Sequence, residues 1–344
     1  MKIGLVGYQG SGKSTVFHWL TGCPPDPGAV RSGQSASVPI PEPRLEQLRE
    51  LYQPKKVTPA TLDLVDTPGL SRTHEGNAAR LAIIREADCL VLVIAAFDRC
   101  DPAADWRSFE EDLLLADIEV VLGRISRVEA GLKKPLPRAE HEQLERELHG
   151  LREVLAAMEQ GKPLRQSEMS EEQLRATRAF RLLTEKPRMI FFNTRDSTGV
   201  APEWTAGLPA EIPVVAAPAG LELELAQLSP EERQEFATAY ALDVHLRDRI
   251  LRQMMDAAGW LTFFTVSPKE VKAWLLRKGG TALEAADTIH SDMARGFIRA
   301  EVMKVSDLVR LGGEKEVRAQ HLVRHEPKDY VVHDDDVLYI RFSA

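Results

Sequence analysis

Apolar residues along the chain change their spacing several times, and each change marks an element. Ile3-Gly4-Leu5-Val6 is a short apolar run that reads as a strand, and Val16, Phe17, Trp19 and Leu20 line one side of the helix that follows. Cys23 to Ser37 is rich in Pro, Gly and Ser and reads as a loop. A short extended piece over 37–40 leads to a helix through Leu45, Leu48 and Leu51. A mostly apolar strand, Ala60 to Val65, ends in Asp66-Thr67-Pro68-Gly69, and a helix over 78–87 precedes Leu90 to Ala96. That last run is continuous and β-branched, as a strand covered on both faces should be. Met189 to Phe192 and Pro213 to Ala217 repeat the pattern. Strands alternating with helices in this order predict a doubly wound α/β domain, with its ligand at the carboxyl ends of the strands.

More than ninety residues separate the strands at 90–96 and 189–192, too many for a simple crossover. Leu115, Ile118, Leu122, Ile125, Val128 and Leu132 recur at threes and fours, as do Leu144, Leu148, Leu151, Leu155 and Met158. A Pro-containing segment, 133–138, separates the two sets, so the spacing predicts an antiparallel helical hairpin with a basic tip at Lys133, Lys134 and Arg138. Such a tip is either a solvated end or a surface for RNA or a partner. Beyond Leu261 the pattern turns to strands: 262–266, a further run over 271–276, a helix over 282–294, a strand over 296–302, then 330–332 and 337–342. This predicts a small β-grasp-like unit. Asp334-Asp335-Asp336 is expected to form a hairpin turn, because no further ligands are spaced for a calcium loop. The expected domains are 1–107 with 186–260, the hairpin insertion 108–185, and 261–344.

Composition narrows the class. Of 344 residues, 44 % are hydrophobic and 28 % charged, and no apolar run approaches the ~18 residues of a membrane span. The opening strand is too soon interrupted by Gly and Lys to be a signal peptide. Three cysteines, Cys23, Cys89 and Cys100, are an odd, sparse set that argues for a reducing, cytoplasmic setting. The net charge is −8, and residues 262–344 hold 13 basic and 13 acidic side chains, so any RNA contact must use a local face. Neither a membrane nor DNA is an expected partner.

The chemistry concentrates at the start. Gly7-Tyr8-Gln9-Gly10-Ser11-Gly12-Lys13-Ser14-Thr15 fits G-x-x-x-x-G-K-S/T, between a strand and a helix. The glycines let successive N–H groups turn inward on one anion, and the helix N-terminus adds its positive dipole end. Gln9, Gly10, Ser11, Gly12, Lys13, Ser14 and Thr15 are therefore the candidate phosphate-binding residues, with Lys13 as the catalytic cation. A Gly-rich turn that carries GKS by chance would lack the flanking strand and helix. Asp66 closes a strand about 50 residues later, where the Asp-x-x-Gly of such proteins holds Mg²⁺ through water; Ser14 and Asp66 are the candidate metal ligands, and the Gly69 N–H is expected to meet the γ-phosphate.

The stretches GSGKSTVFHWLTG, VPIPEPRLEQL, DTPGL, WLTFFTV, ADTIHSDMARGFIRAEV and DYVVHDDDVLYIRF, spread over nearly the whole length, carry a family likeness. The chain resembles the YchF subfamily of Obg-related translation-factor GTPases and ATPases. The resemblance implies a G domain, a coiled-coil insertion, a C-terminal TGS domain, nucleotide hydrolysis with Mg²⁺, and association with the ribosome, through ribosomal RNA or protein. Leu70 stands where many GTPases carry a water-orienting Gln, as the family also has it, which implies slow intrinsic hydrolysis. Two departures bear on switching. The family's Tyr-Pro-Phe-Cys-Thr-like first switch is replaced by residues 27–31, with Ser32, Ser35 or Ser37 as unconvincing substitutes for its threonine. The glycine-rich second switch shrinks to residues 71–77. For base recognition, Asn193-Thr194-Arg195-Asp196 stands in place of Asn-Lys-x-Asp, with Asp196 able to accept from guanine and the Ala219 N–H left for the base. GTP and ATP both remain open as substrates. A non-catalytic adaptor for ribosomal or protein partners is the alternative, and a capping turn is the plain reading of Asn193–Asp196.

Overall fold

A computed structural model describes the chain apart from residues 30–31, 98–100, 162–163, 165–168, 198, 240–242 and 344. It divides into two compact units, Met1–Ala36 with Asp63–Asp243, and Ser37–Leu62 with Val244–Ala344.

In the first unit, β1 (Lys2–Val6) is followed by α1 (Lys13–Thr21), and β2 (Gln34–Pro39) carries the chain out of the unit. α2 (Pro43–Tyr52) and β3 (Lys56–Thr58) belong to the second unit, and β4 (Thr61–Asp66) brings the chain back. Then come α3 (Asn77–Ile84), β5 (Cys89–Ala96), α4 (Pro102–Leu132), α5 (Arg138–Glu159), α6 (Glu171–Thr177), β6 (Arg188–Thr194), β7 (Val214–Ala217), α7 (Ala219–Leu225) and α8 (Pro230–Ala239). The sheet runs β2-β4-β1-β5-β6-β7, and β1 pairs in parallel with both β4 and β5. Alternation along β6 shows the double winding. Ile190 and Phe192 join a core with Trp106, Phe109 and Leu113 of α4, while Phe191 turns to Trp19 of α1, ring centroids 6.5 Å apart. Each such fully buried aromatic contributes about 1.5–3 kcal/mol.

Helix α4 starts where Asp101 accepts a hydrogen bond from the Ala104 N–H and Pro102 occupies the first turn. Its first half covers the sheet. Its second half packs Val121, Ile125 and Val128 against Leu148, Leu151, Val154 and Met158 of α5, which is the expected hairpin. The stripe differs in one respect. Leu115 is 57 % exposed and Leu122 44 % exposed, and Val121 takes the packed position. Leu115 and Leu122 lie seven residues apart on one flank, turned away from α5 by the 3.6-residue period.

The second unit continues with α9 (Leu246–Ala257), β8 (Trp260–Val266), β9 (Glu270–Arg277), α10 (Ala282–Ile289), α11 (Ser291–Arg295), β10 (Phe297–Lys304), α12 (Val305–Leu311), α13 (Glu314–Ala319), β11 (Arg324–Glu326) and β12 (Asp336–Phe342). Its sheet runs β11-β10-β12-β8-β9-β3. Phe263, Leu276, Val302, Leu338 and the alanines of α10 form its core. The expected helix over 282–294 is two helices, because His290 is extended and its Nδ1 accepts from the Asp292 N–H to start α11. Residues 330–332 form no strand; only Val331 makes an isolated bridge, to Thr281. The acidic turn is accordingly not a hairpin. Asp336 is fully buried, and it accepts from the His333 N–H at 2.8 Å and the Tyr330 hydroxyl at 2.9 Å, with Lys304 Nζ 2.8 Å away. It anchors an irregular connection instead.

Candidate phosphate-binding site

The site lies at the carboxyl ends of β1 and β4. After Val6 the chain turns through Gly7, Gly10 and Gly12, at φ of 145°, 82° and 87°. These values suit glycine and are costly for residues with a Cβ. Gly12 is also the N-cap of α1, and a Cβ there would meet Asn193 Nδ2 at 2.1 Å. The first N–H groups of α1 have no intrahelical acceptor, so they face the loop as an anion nest.

Lys13 is buried, and its Nζ donates to the Tyr8 carbonyl at 2.8 Å. Burial lowers this ammonium to about 8, against the attraction of Asp66. Asp66 is pushed upward by burial, while a hydrogen bond from Ser14 and the charge of Lys13 oppose the shift. Its Oδ1 is buried and has no hydrogen-bond partner. A buried carboxylate oxygen left unpaired beside a serine hydroxyl fits a hard divalent cation. Among the described residues no cluster of three or more His, Cys, Asp or Glu side chains could hold a metal.

The Asp66–Leu70 segment closes on the loop. Leu70 N–H donates to the Gly7 carbonyl and Gln9 N–H to the Leu70 carbonyl, both at 3.0 Å. A Cβ on Gly69 would lie 2.7 Å from Lys13 Nζ and 2.9 Å from the Gln9 nitrogen. Ser11, Ser14 and Thr15 sit in the same loop and first turn, with Ser11 Oγ buried and unpaired. Sequence reasoning passed over Tyr8, a variable position of the motif, whose carbonyl holds Lys13.

The base-side residues divide. Asn193, buried at the end of β6, donates from Nδ2 to the Ser11 carbonyl at 3.2 Å. Its Oδ1 accepts from the Ala219 N–H at 3.3 Å. Asn193 therefore ties the phosphate loop to the start of α7, and the Ala219 N–H, expected for the base, is engaged by Asn193. Asp196 lies exposed on the loop after β6, which Thr194 bends by donating to the Asp196 carbonyl at 2.7 Å. Ser32 and Ser35 line a cavity of about 180 Å³ with Lys2, Val65, Thr67 and Ile83. Val65 and Thr67 flank Asp66 and point to the other face of β4. Val30 and Arg31 of the first-switch stretch, like Cys100, lie outside the described residues.

Comparison with known proteins agrees with this geometry. Residues 2–122 match a family model described as a 50S ribosome-binding GTPase, and residues 260–343 match the C-terminal YchF-GTPase model, described as a protein of unknown function (DUF933). The Ribosome-binding ATPase YchF of Bacillus subtilis is 33 % identical over 368 residues, covering 99 % of each chain. Obg-like ATPase 1 of Oryza sativa subsp. japonica is 33 % identical over 370 residues, covering 100 % of this chain and 92 % of the rice protein. The structure of the Schizosaccharomyces pombe YchF GTPase superposes with a TM-score of 0.84 at 25 % identity, over 99 % of this chain and 97 % of that one. With a phosphate loop of this geometry and full-length likeness at this level, the chain belongs to the YchF family of Obg-like P-loop proteins.

Proposed function

We propose that the chain binds GTP or ATP with Mg²⁺, hydrolyses the β–γ bond slowly, and acts in the cytoplasm in association with the ribosome. The carrying observation is the buried Lys13 ammonium, held by the Tyr8 carbonyl next to an Asp66 oxygen that lacks a partner. In this reading Gln9 to Thr15 wrap the phosphates, and Lys13 offsets charge developing on the β–γ bridge. Ser14 and, through water, Asp66 would hold the magnesium ion, which supplies charge neutralisation on the phosphate oxygens when bound. The Gly69 N–H faces the γ-phosphate. Leu70 is fully buried and has no group that could orient a water, so turnover depends on another group or an activator. Asp196 reads the base. Ribosome association is supported by the names that the relatives carry and by the family model that matches residues 2–122.

In this reading Met1–Ala36 with Asp63–Asp243 carry the nucleotide site and the helical arm, and Ser37–Leu62 with Val244–Ala344 form the partner-facing module. Lys13→Ala is expected to lower hydrolysis at least ~100-fold with the fold retained, read by phosphate release. Retained turnover would refute the assignment. Competition between GTP and ATP for a fluorescent analogue decides the base.

A second reading, a nucleotide-binding adaptor without turnover, draws on the buried Leu70 and on Ser32 and Ser35 lining a separate cavity. Tight binding with no phosphate release, ribosomes included, would favour it.

A further inference from the structure

Tyr8 has a second attachment besides the carbonyl that holds Lys13. Its side chain is buried, and its hydroxyl donates to Asp112 Oδ2 of α4 at 2.9 Å. Phe109 meets the ring edge-on, with centroids 5.5 Å apart and planes at 84°. Arg72, in the segment after Asp-x-x-Gly-Leu, lies over the ring, 4.4 Å from its centroid, and its Nη2 is 2.7 Å from Asp105 of α4. His74 of the same segment sits 3.4 Å from the other Asp112 oxygen. The backbone of Tyr8 also bridges to Leu70. One residue of the phosphate loop thus joins three things: the lysine, the shortened second-switch segment, and the first helix of the hairpin.

Packing alone does not require this arrangement. A phenylalanine at position 8 would fill the same space against Phe109 and Arg72. The hydroxyl adds a directional bond to a carboxylate, of the charge-assisted kind that fixes geometry. Burial and Asp112 both push the phenol's ionisation upward, so it stays a donor. The peptide carbonyl of the residue so clamped is the one that receives Lys13 Nζ.

We propose that Tyr8 is a positioning residue of the phosphate site, and that α4, through Asp112, sets where Lys13 stands. The inference rests on the nucleotide-binding reading above. Lys13 reaches the β- and γ-phosphates, so a loosened clamp weakens triphosphate binding more than diphosphate binding. A residue that merely filled space would weaken both together.

The test is the affinity of the full-length chain for fluorescent, slowly hydrolysed triphosphate analogues and for the matching diphosphates, in guanosine and adenosine forms, with Mg²⁺. Tyr8→Phe and Asp112→Leu are each expected to lower the triphosphate-over-diphosphate preference about fivefold, as loss of one buried hydrogen bond would. Asp112→Asn keeps an acceptor and is expected to keep most of that preference. The double variant Tyr8→Phe with Asp112→Leu should be no worse than Asp112→Leu alone, because both changes remove the same Tyr8–Asp112 bond. Thermal melts verify that each variant is folded. An unchanged preference in folded Tyr8→Phe, or losses that add in the double variant, would overturn the proposal. Should the wild-type chain bind no nucleotide, the functional reading fails first and takes this inference with it.

Discussion

At the scale of single residues, the phosphate loop works because of what its glycines leave out. Gly69 has no unusual backbone angle, yet a Cβ there would strike Lys13 Nζ at 2.7 Å. Gly69→Ala is expected to displace the ammonium and lower nucleotide affinity about tenfold or more, measured by fluorescence titration. Gly10 offers a control, since its Cβ would meet nothing within 4 Å and its cost is only that of φ at +82°. Lys13 also predicts a pH dependence. Its ammonium, ordinarily near 10.5, is lowered to about 8 by burial. Between these values the unfolded chain binds more protons, so the nucleotide-free fold gains stability as pH rises from about 8 to about 10.5. Nucleotide affinity moves the other way, because phosphate favours the charged lysine. Affinity is therefore expected to fall above pH of about 8, and calorimetry in buffers of different ionisation heat should record proton uptake on binding in that range. A flat profile between pH 7 and 9.5 would disprove this.

At the scale of elements, periodicity in the sequence located the hairpin but misassigned part of its seam. Runs spaced at threes and fours identify a helix well; over the 31 residues of α4 they do not say which of two adjacent stripes meets the partner. The choice belongs to the sheet. Trp106, Phe109 and Leu113 must cover it, and their phase carries forward to Val121, Ile125 and Val128. This gives a direct comparison. Leu151→Ala, at a fully buried position, should cost about 3 kcal/mol, whereas Leu115→Ser and Leu122→Ser should each stay within about 0.5 kcal/mol, all read from urea denaturation. Asp117, also on α4 and fully buried, accepts from Thr184 N–H and Oγ1 at 2.8 Å each, and Arg85 Nη1 lies 2.6 Å away. No period marks such a residue, because its partners come from α3 and from the approach to β6.

At the scale of the whole molecule, the division of the chain departs from its order. Residues 37–62 were expected in the nucleotide-binding domain, yet they fold with the C-terminal unit. β3 lies parallel to β9, with Thr58 Oγ1 donating to Glu270 at 2.5 Å, and Arg44 of α2 stands over Phe264, 5.0 Å from its centroid. The C-terminal segment is therefore incomplete by itself. A fragment of residues 261–344 leaves the β9 edge unpaired and Phe264 uncovered, and it is expected to lack a cooperative melt by circular dichroism. A sharp transition in that fragment would contradict this account.

What the amino-acid order settled unaided was whatever rests on neighbours in the chain. An anion nest is built from consecutive N–H groups, so Gly7 to Thr15 declare it locally, and helices and strands declare themselves by period. What only the tertiary structure decided were pairings across long separations. Tyr8 meets Asp112 over 104 positions, and Asn193 donates to the Ser11 carbonyl and accepts from the Ala219 N–H. A hydrogen bond is fixed by distance and angle in space, and nothing in the spacing of residues along a chain encodes which polar groups the packing of sheet and helix will bring within 3 Å.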